Sequence, residues 1–200
     1  FAGTIPTFSG PVGIIKAGTG TLTLSGQNTY TLSTVISNGV LALATDPTSG
    51  ADGSIDGSSV ISVLGNGVLD VSGRSDGALQ LGYNQTLQGQ GVIRGSLTAS
   101  GTVTPGDSAS IGTLTVTNVV NLYGTTLMKL NRASTPNSDR LVSSLSSITY
   151  GGTLVVTNAG ATLQVGDTFT LFSGSGLNVG TFSPITLPSQ YTWDTSNLGF

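Results

Sequence analysis

Three features of the sequence predict an all-β fold of the solenoid class. A five-residue strand core recurs along the chain, each copy alternates apolar and polar residues, and turn residues separate the copies. The core is Gly20-Thr21-Leu22-Thr23-Leu24, and it returns from Gly39 (GVLAL), Gly67 (GVLDV), Gly77 (GALQL), Gly112 (GTLTV) and Gly152 (GTLVV). Weaker copies start at Gly95 (GSLTA) and Gly124 (GTTLMKL). The alternative is a β-sandwich, above all for the C-terminal part. The repeated core favours the solenoid, because equivalent strands stack in register, Leu on Leu and Thr on Thr.

Within the cores, Leu22 and Leu24, Leu41 and Leu43, Leu69 and Val71, Leu79 and Leu81, Leu114 and Val116, and Leu154 and Val156 hold one phase. A period of two sends these to a core and their neighbours to solvent. Thr suits the outward positions, since it joins β-branching to a hydroxyl. Asn38-Gly39 and Asn66-Gly67 each sit between two β-like runs. Alone, such a dipeptide reads as a hairpin turn. It reads equally as a tight solenoid corner in which Asn takes the left-handed conformation and Gly the next bend. Only Ser138–Ile148 has helical spacing, with Ser138 as N-cap and Leu141, Leu145 and Ile148 on one face. Its serines and the alternation of Leu141, Ser143 and Leu145 favour strand or loop. The residues after 118 stay strand-rich with no linker before them. The expectation is one solenoid domain over 1–200, with a repeat-like part at about 10–118 and a strand-rich part at about 119–200. Roughly nine rungs are expected, on the order of 45 Å long.

Composition narrows the chemistry. Only 8% of residues are charged, 37% are hydrophobic, and there is no Cys, no His and no Glu. A thiol nucleophile, a Cys/His zinc site and His-based acid–base catalysis are therefore excluded. Six basic residues against nine aspartates, scattered along the chain, cannot neutralise a phosphate backbone, so no nucleic-acid partner is expected. No apolar run reaches the length of a membrane helix. The chain opens on Phe1 without a Met, from which a processed piece of a longer precursor is expected.

The motifs in their order carry a resemblance. KAGTGTLTLSGQNTYT (Lys16–Thr31) followed by ISNGVLAL (Ile36–Leu43) resembles the autotransporter-associated β-strand repeat. Leu81–Val116 is similar to the passenger segment that follows such repeats. SDRLVSSLSSITYGGTLVV, GDTFTLFSGSG and GTFSPITLP resemble the C-terminal part of secreted bacterial proteins that carry them. The resemblance implies a right-handed parallel β-helix, export from a Gram-negative cell, and an extracellular or cell-surface location. It names no reaction. Residues 1–200 contain no run of amphipathic outer-membrane strands, so no autotransporter membrane barrel is expected within them.

Candidate chemistry is sparse. Ser108 in Pro105–Gly112 sits in a Gly-Asp-Ser block, but without His it lacks a base and reads as a turn. Asp46, Asp52 and Asp56 have the oxygen chemistry for calcium, yet their spacing fits neither an EF-hand nor a calcium-binding β-roll. Asp70, with Arg74 and Asp76 close by, is the nearest thing to a carbohydrate-cleaving constellation, and a salt bridge explains it as well. Asn84-Gln85-Thr86 is a glycosylation sequon that reads as a turn. Tyr30, Tyr83, Tyr123, Tyr150, Tyr191 and Trp193 show no spacing for a sugar platform and are expected to fill the core. Neither a catalytic residue, a metal nor a cofactor is expected.

The functional expectation is a non-enzymatic extracellular structural body that joins copies of itself head to tail. The alternative is an adhesin binding glycans or another cell through its Thr/Ser/Asn faces. Phe1, Ile5, Phe8, Trp193, Leu198 and Phe200 are the expected assembly residues, because apolar termini seldom face water and solenoid ends expose strand edges.

Overall fold

The computed structural model describes Ile5, residues 12–196 and Leu198. Among these the secondary structure is all β, in eighteen strands: β1 (Ile14–Lys16), β2 (Thr21–Leu24), β3 (Thr34–Ala44), β4 (Val60–Gly73), β5 (Ala78–Leu81), β6 (Thr86–Gly89), β7 (Val92–Arg94), β8 (Ser96–Ala99), β9 (Thr102–Pro105), β10 (Thr113–Val116), β11 (Val120–Leu122), β12 (Thr125–Leu130), β13 (Arg140–Ser143), β14 (Ile148–Tyr150), β15 (Thr153–Asn158), β16 (Phe172–Gly174), β17 (Val179–Gly180) and β18 (Ile185–Thr186). Every pairing between them is parallel and joins strands of successive turns. The molecule is a parallel β-helix.

Its cross-section has three faces. The first stacks β1, the start of β3, the start of β4, β6, β9, β12, β15 and β18. The second stacks β2, the end of β3, the end of β4, β7, β10, β13 and β16. The third holds β5, β8, β11, β14 and β17, preceded by two irregular segments around Gln27 and Ser54 that bridge each other. The described residues visit the faces in strict order, making seven complete turns and the first strand of an eighth. At about 4.8 Å per turn the seven span about 34 Å. The expected nine rungs fail because several turns spend residues on loops, so equivalent strands lie further apart in sequence than the bare repeat implies. Register runs from Thr86 to Thr102 in the tightest turn and from Leu154 to Ile185 in the loosest.

The predicted facing holds throughout. On the second face Leu41, Leu69, Ile93 and Val116 form one inward column; on the third, Leu79, Leu97, Val120 and Ile148 form another. On the first face Ile61, Leu87, Val103, Thr126 and Leu154 stack in register. Thr126 occupies a leucine position, which makes the Gly124 copy weak in sequence but regular in space. Outward, Thr86, Thr102, Thr125 and Thr153 align as a column. Leu22 is only half-buried because it lies in the first turn and has core on one side only.

Asn38 and Asn66 pair side by side in register, as do Gly39 and Gly67, so these dipeptides are stacked corners and not hairpins. The backbone detail differs from expectation. Gly39 takes the left-handed conformation (φ 67°), whereas no non-glycine described residue has positive φ; Asn38 instead accepts the Gly39 N–H on its Oδ1 at 2.8 Å. A Cβ at Gly39 would strike the Gly18 and Gly20 carbonyls of the turn before. Gly124 meets the same constraint against Ser100 and Gly101. Gly39, Gly67, Gly124 and Gly152 open their cores where the backbone bends against the backbone beneath it, whereas Gly20 and Gly77 face open space.

Ser138–Ile148 contains β13 and the first residue of β14 and no helix; Leu141 and Ser143 point inward and Leu145 outward. No sandwich forms at the C-terminal part, where β12 to β18 extend the same parallel ladders. Among the described residues no helix is long and apolar enough to cross a membrane.

Candidate functional site

Besides the irregular third-face segments around Gln27 and Ser54, two regions depart from the regular coil: its ends, and one corner. At the corner between the first and second faces, three successive turns carry excursions, 106–112, 131–139 and 159–171, which lie above one another. Side chains tie them together. Asn137 donates to the Thr168 carbonyl and Ser138 to that of Thr170, both at 2.9 Å. Arg132 pairs with Asp167 at 3.0 Å and donates to Gln164. Beneath them the Asp139 carboxylate is fully buried and accepts from the Gly112 N–H (2.9 Å), the Lys129 N–H (2.8 Å) and Lys129 Nζ (2.6 Å). Burial pushes the Asp139 carboxyl up, against the opposing pull of Lys129. Sequence reading passed over this pair because nothing in the spacing of residues 129 and 139 distinguishes it from two solvated charges.

The last excursion and the segment after β18 enclose a cleft of about 890 Å³, lined by Leu163, Phe169, Phe172, Tyr191 and Trp193 among others. Tyr191 and Trp193 meet edge to face, with centroids 5.9 Å apart, and Tyr191 Oη accepts from the Leu163 N–H. Trp193 and Leu198 are half-buried against the chain's own core, as is Ile5 at the other end. Of the expected assembly residues, then, these three are at least partly self-covered. Phe1, Phe8 and Phe200 lie outside the described residues.

The ends are stepped. At the C-terminal end, among the described residues, β16, β17 and β18 have no strand beyond them, and the first face runs one strand further than the others. Val165, Leu177, Val179 and Ile185 are exposed there. At the N-terminal end the Ile5 carbonyl accepts from the Thr29 N–H and the Val12 carbonyl from the Leu32 N–H. Chain thus continues one step above the third face, while among the described residues β1 and β2 have no strand above them and Ile15 is 75% exposed.

The acids singled out in the sequence are held singly. Asp46 accepts from the Thr48 and Ser49 N–H groups. Asp52, drawn to about 2 by Ser75 and Thr45, bridges two turns. They form no group suited to a metal among the described residues, and Asp56 is exposed on its own. Asp70 belongs with Arg94 of the next turn (2.8 Å), not with Arg74, which pairs with Asp76 (3.0 Å). Two separate ion pairs replace the single constellation. Asp107 folds its loop by accepting from the Ala109 and Ser110 N–H groups, leaving Ser108 exposed in a turn. Asn84 lies in a turn whose Gln85 is buried and donates to the Ser58 carbonyl. Tyr30 and Tyr150 fill the core as expected, but Tyr83 (85% exposed) and Tyr123 (55%) do not. Both sit at the corner between the third and first faces, where the chain is too tightly bent to turn them in.

Ile14–Leu43 comprises one full turn and two faces of the next, with β1 and β2 both laid on β3. Residues 14–43 match the family model of the passenger-associated-transport-repeat. The match is what an autotransporter-associated repeat protein carries. The passenger-associated-transport-repeat thereby has a physical unit in this chain: a strand pair on two faces, an Asn-Gly corner, and the same two faces one turn on. No curated protein and no solved structure matches the chain.

Proposed function

We propose that this protein is a non-enzymatic extracellular structural subunit that polymerises head to tail into a fibre at the surface of a Gram-negative bacterium. The passenger-associated-transport-repeat supports an extracellular, passenger-like body. The observation that carries the finer reading is the complementarity of the stepped ends. Among the described residues, the C-terminal end supplies a strand on the first face of an eighth turn and none on the third. Among the same residues, the N-terminal end supplies backbone on the third face of the turn before the first and none on the first. Stacked end to end, β18 of one copy and the Ile5 segment of the next share one turn, filling its first and third faces. Parallel strand polarity is kept across the joint, and exposed edges and apolar side chains on both sides are covered. The aspartates are spread singly along the coil, most of them held by loop N–H groups, hydroxyls or one Arg or Lys, and this supports a non-enzymatic reading.

A charge on the joint tests the reading. Ile185 lies in the last strand of the first face, in register with the inward Leu154, and is exposed at the open end of the core, so Ile185→Lys leaves the turns beneath it intact and places an ammonium where the next copy must dock. Sedimentation should show wild-type assemblies that grow with concentration and an Ile185→Lys monomer with an unchanged β circular dichroism spectrum. A wild type that stays monomeric at high concentration removes the fibre. The passenger then reads as an adhesin binding glycans or cells, which the exposed Tyr83 and Tyr123 favour.

A further inference from the structure

We propose that Lys129 and Asp139 join covalently, their side chains condensing into an amide that bridges the base of the 131–139 excursion. The pair meets the geometric needs of the reaction. Lys129 Nζ lies 2.6 Å from Asp139 Oδ2, in contact before any motion, so the encounter is already intramolecular. The carboxyl is fully shielded from water and the ammonium nearly so. A buried ion pair is a poor way to hold two charges, because the desolvation cost of both opposes their attraction. Moving one proton from Nζ to the carboxylate gives a neutral amine, which is the nucleophile, and a carboxylic acid, which is the electrophile. The burial that pushes the Asp139 carboxyl up favours that form.

The surroundings suit the steps that follow. Gly112 N–H points at Oδ1 and Lys129 N–H at Oδ2, so two fixed donors await the oxygen charge of the tetrahedral intermediate. Pro105 O accepts from Nζ at 2.9 Å and steadies the amine. Asp107 and Lys129 line the same small opening to solvent, with Gln88 and Thr104. As the Nζ–Cγ bond forms, the Asp107 carboxylate takes an amine proton and returns it to the departing Asp139 oxygen. The Cγ–O bond breaks and one water leaves through the opening. The ion pair contains every atom of the amide and the water, so neither oxidant nor cofactor is needed. The bond carries load across the corner directly from β12 to β13 and leaves the excursion outside the line of tension.

The test is the intact mass of the full chain, followed by proteolytic mapping. The proposal expects the wild type to be lighter than its sequence by one water. It also expects a branched peptide joining residues 129 and 139, and resistance to trypsin after Lys129. Asp139→Asn should lose one ammonia instead, and Asp107→Asn should slow the loss without abolishing it. Lys129→Arg should have its full sequence mass. Folded wild type at its full sequence mass overturns the proposal whatever the variants do. So does a water loss that persists in Lys129→Arg, which would place the dehydration elsewhere, for example as a succinimide at Asp52-Gly53.

Discussion

Leu97→Ala measures how much of the stability resides in the stacked columns. Leu97 is completely buried in the middle of the third face, between Leu79 of the turn before and Val120 of the turn after. The substitution removes three carbons at about 0.8 kcal/mol each, or about 2.4 kcal/mol of lost transfer energy. Leu79 and Val120 are held by backbone ladders on either side and cannot close the space, so the cavity raises the cost to about 3–4 kcal/mol. Thr98, the next residue, faces outward between Gln80 and Asn121, and Thr98→Ala should cost under about 1 kcal/mol. Guanidinium unfolding followed by far-UV circular dichroism reads both, with unchanged slopes as the check that one transition is compared with another. Equal losses from the two variants would refute the facing assignment, and with it the argument that the five-residue core is the wall of a coil.

Other consequences follow from the same structure. Leu114→Asp places an unpaired charge against Leu141 and should cost several kcal/mol, about what an uncompensated buried charge demands, while Thr113→Asp stays within about 1 kcal/mol; calorimetry of the pair decides. Tyr30→Phe removes the hydroxyl 2.6 Å from Thr34 Oγ1, which leads on to Ser58, and should lower stability by about 1–2 kcal/mol in the same denaturation assay. Asp52 is depressed to about 2 when folded, so its stabilising contribution is present above the ordinary carboxylate range and is lost as pH falls towards 2. An NMR titration should find its midpoint near 2, and Asp52→Asn should flatten the acid limb of the stability curve. Gly39→Ala should destabilise by more than about 1 kcal/mol, since a side chain there is strained by the positive φ and collides with two carbonyls; the thermal midpoint reports it.

The sequence is transparent where the fold repeats. Leu22, Leu41 and Leu69 share a spacing because they share a column, and the glycines before Leu41 and Leu69 mark corners where backbone meets backbone. Period two and turn chemistry act over a few residues, so they can be read one copy at a time. The excursions at 131–139 and 159–171 obey no period, since they answer to neighbouring turns and not to adjacent residues. For that reason Lys129, Asp139, Arg132 and Asp167 looked like scattered charges in the sequence and are paired in space. Along the sequence Asp70 stands four residues from Arg74, whereas its partner in space is Arg94, one turn away. The exposed Tyr83 and Tyr123 show the same limit. Hydrophobicity argued for the core, and the tight corner overrode it.

The central claim is that the stepped ends of one copy fit those of the next. Electron cryomicroscopy of concentrated native protein tests it most directly, through the axial repeat of any filament. A shared turn means each copy adds eight turns of coil, so the account predicts unbranched filaments, polar along their length, with continuous parallel ladders and a subunit rise of about 38 Å. Isolated particles, or filaments whose copies meet tail to tail, would contradict it.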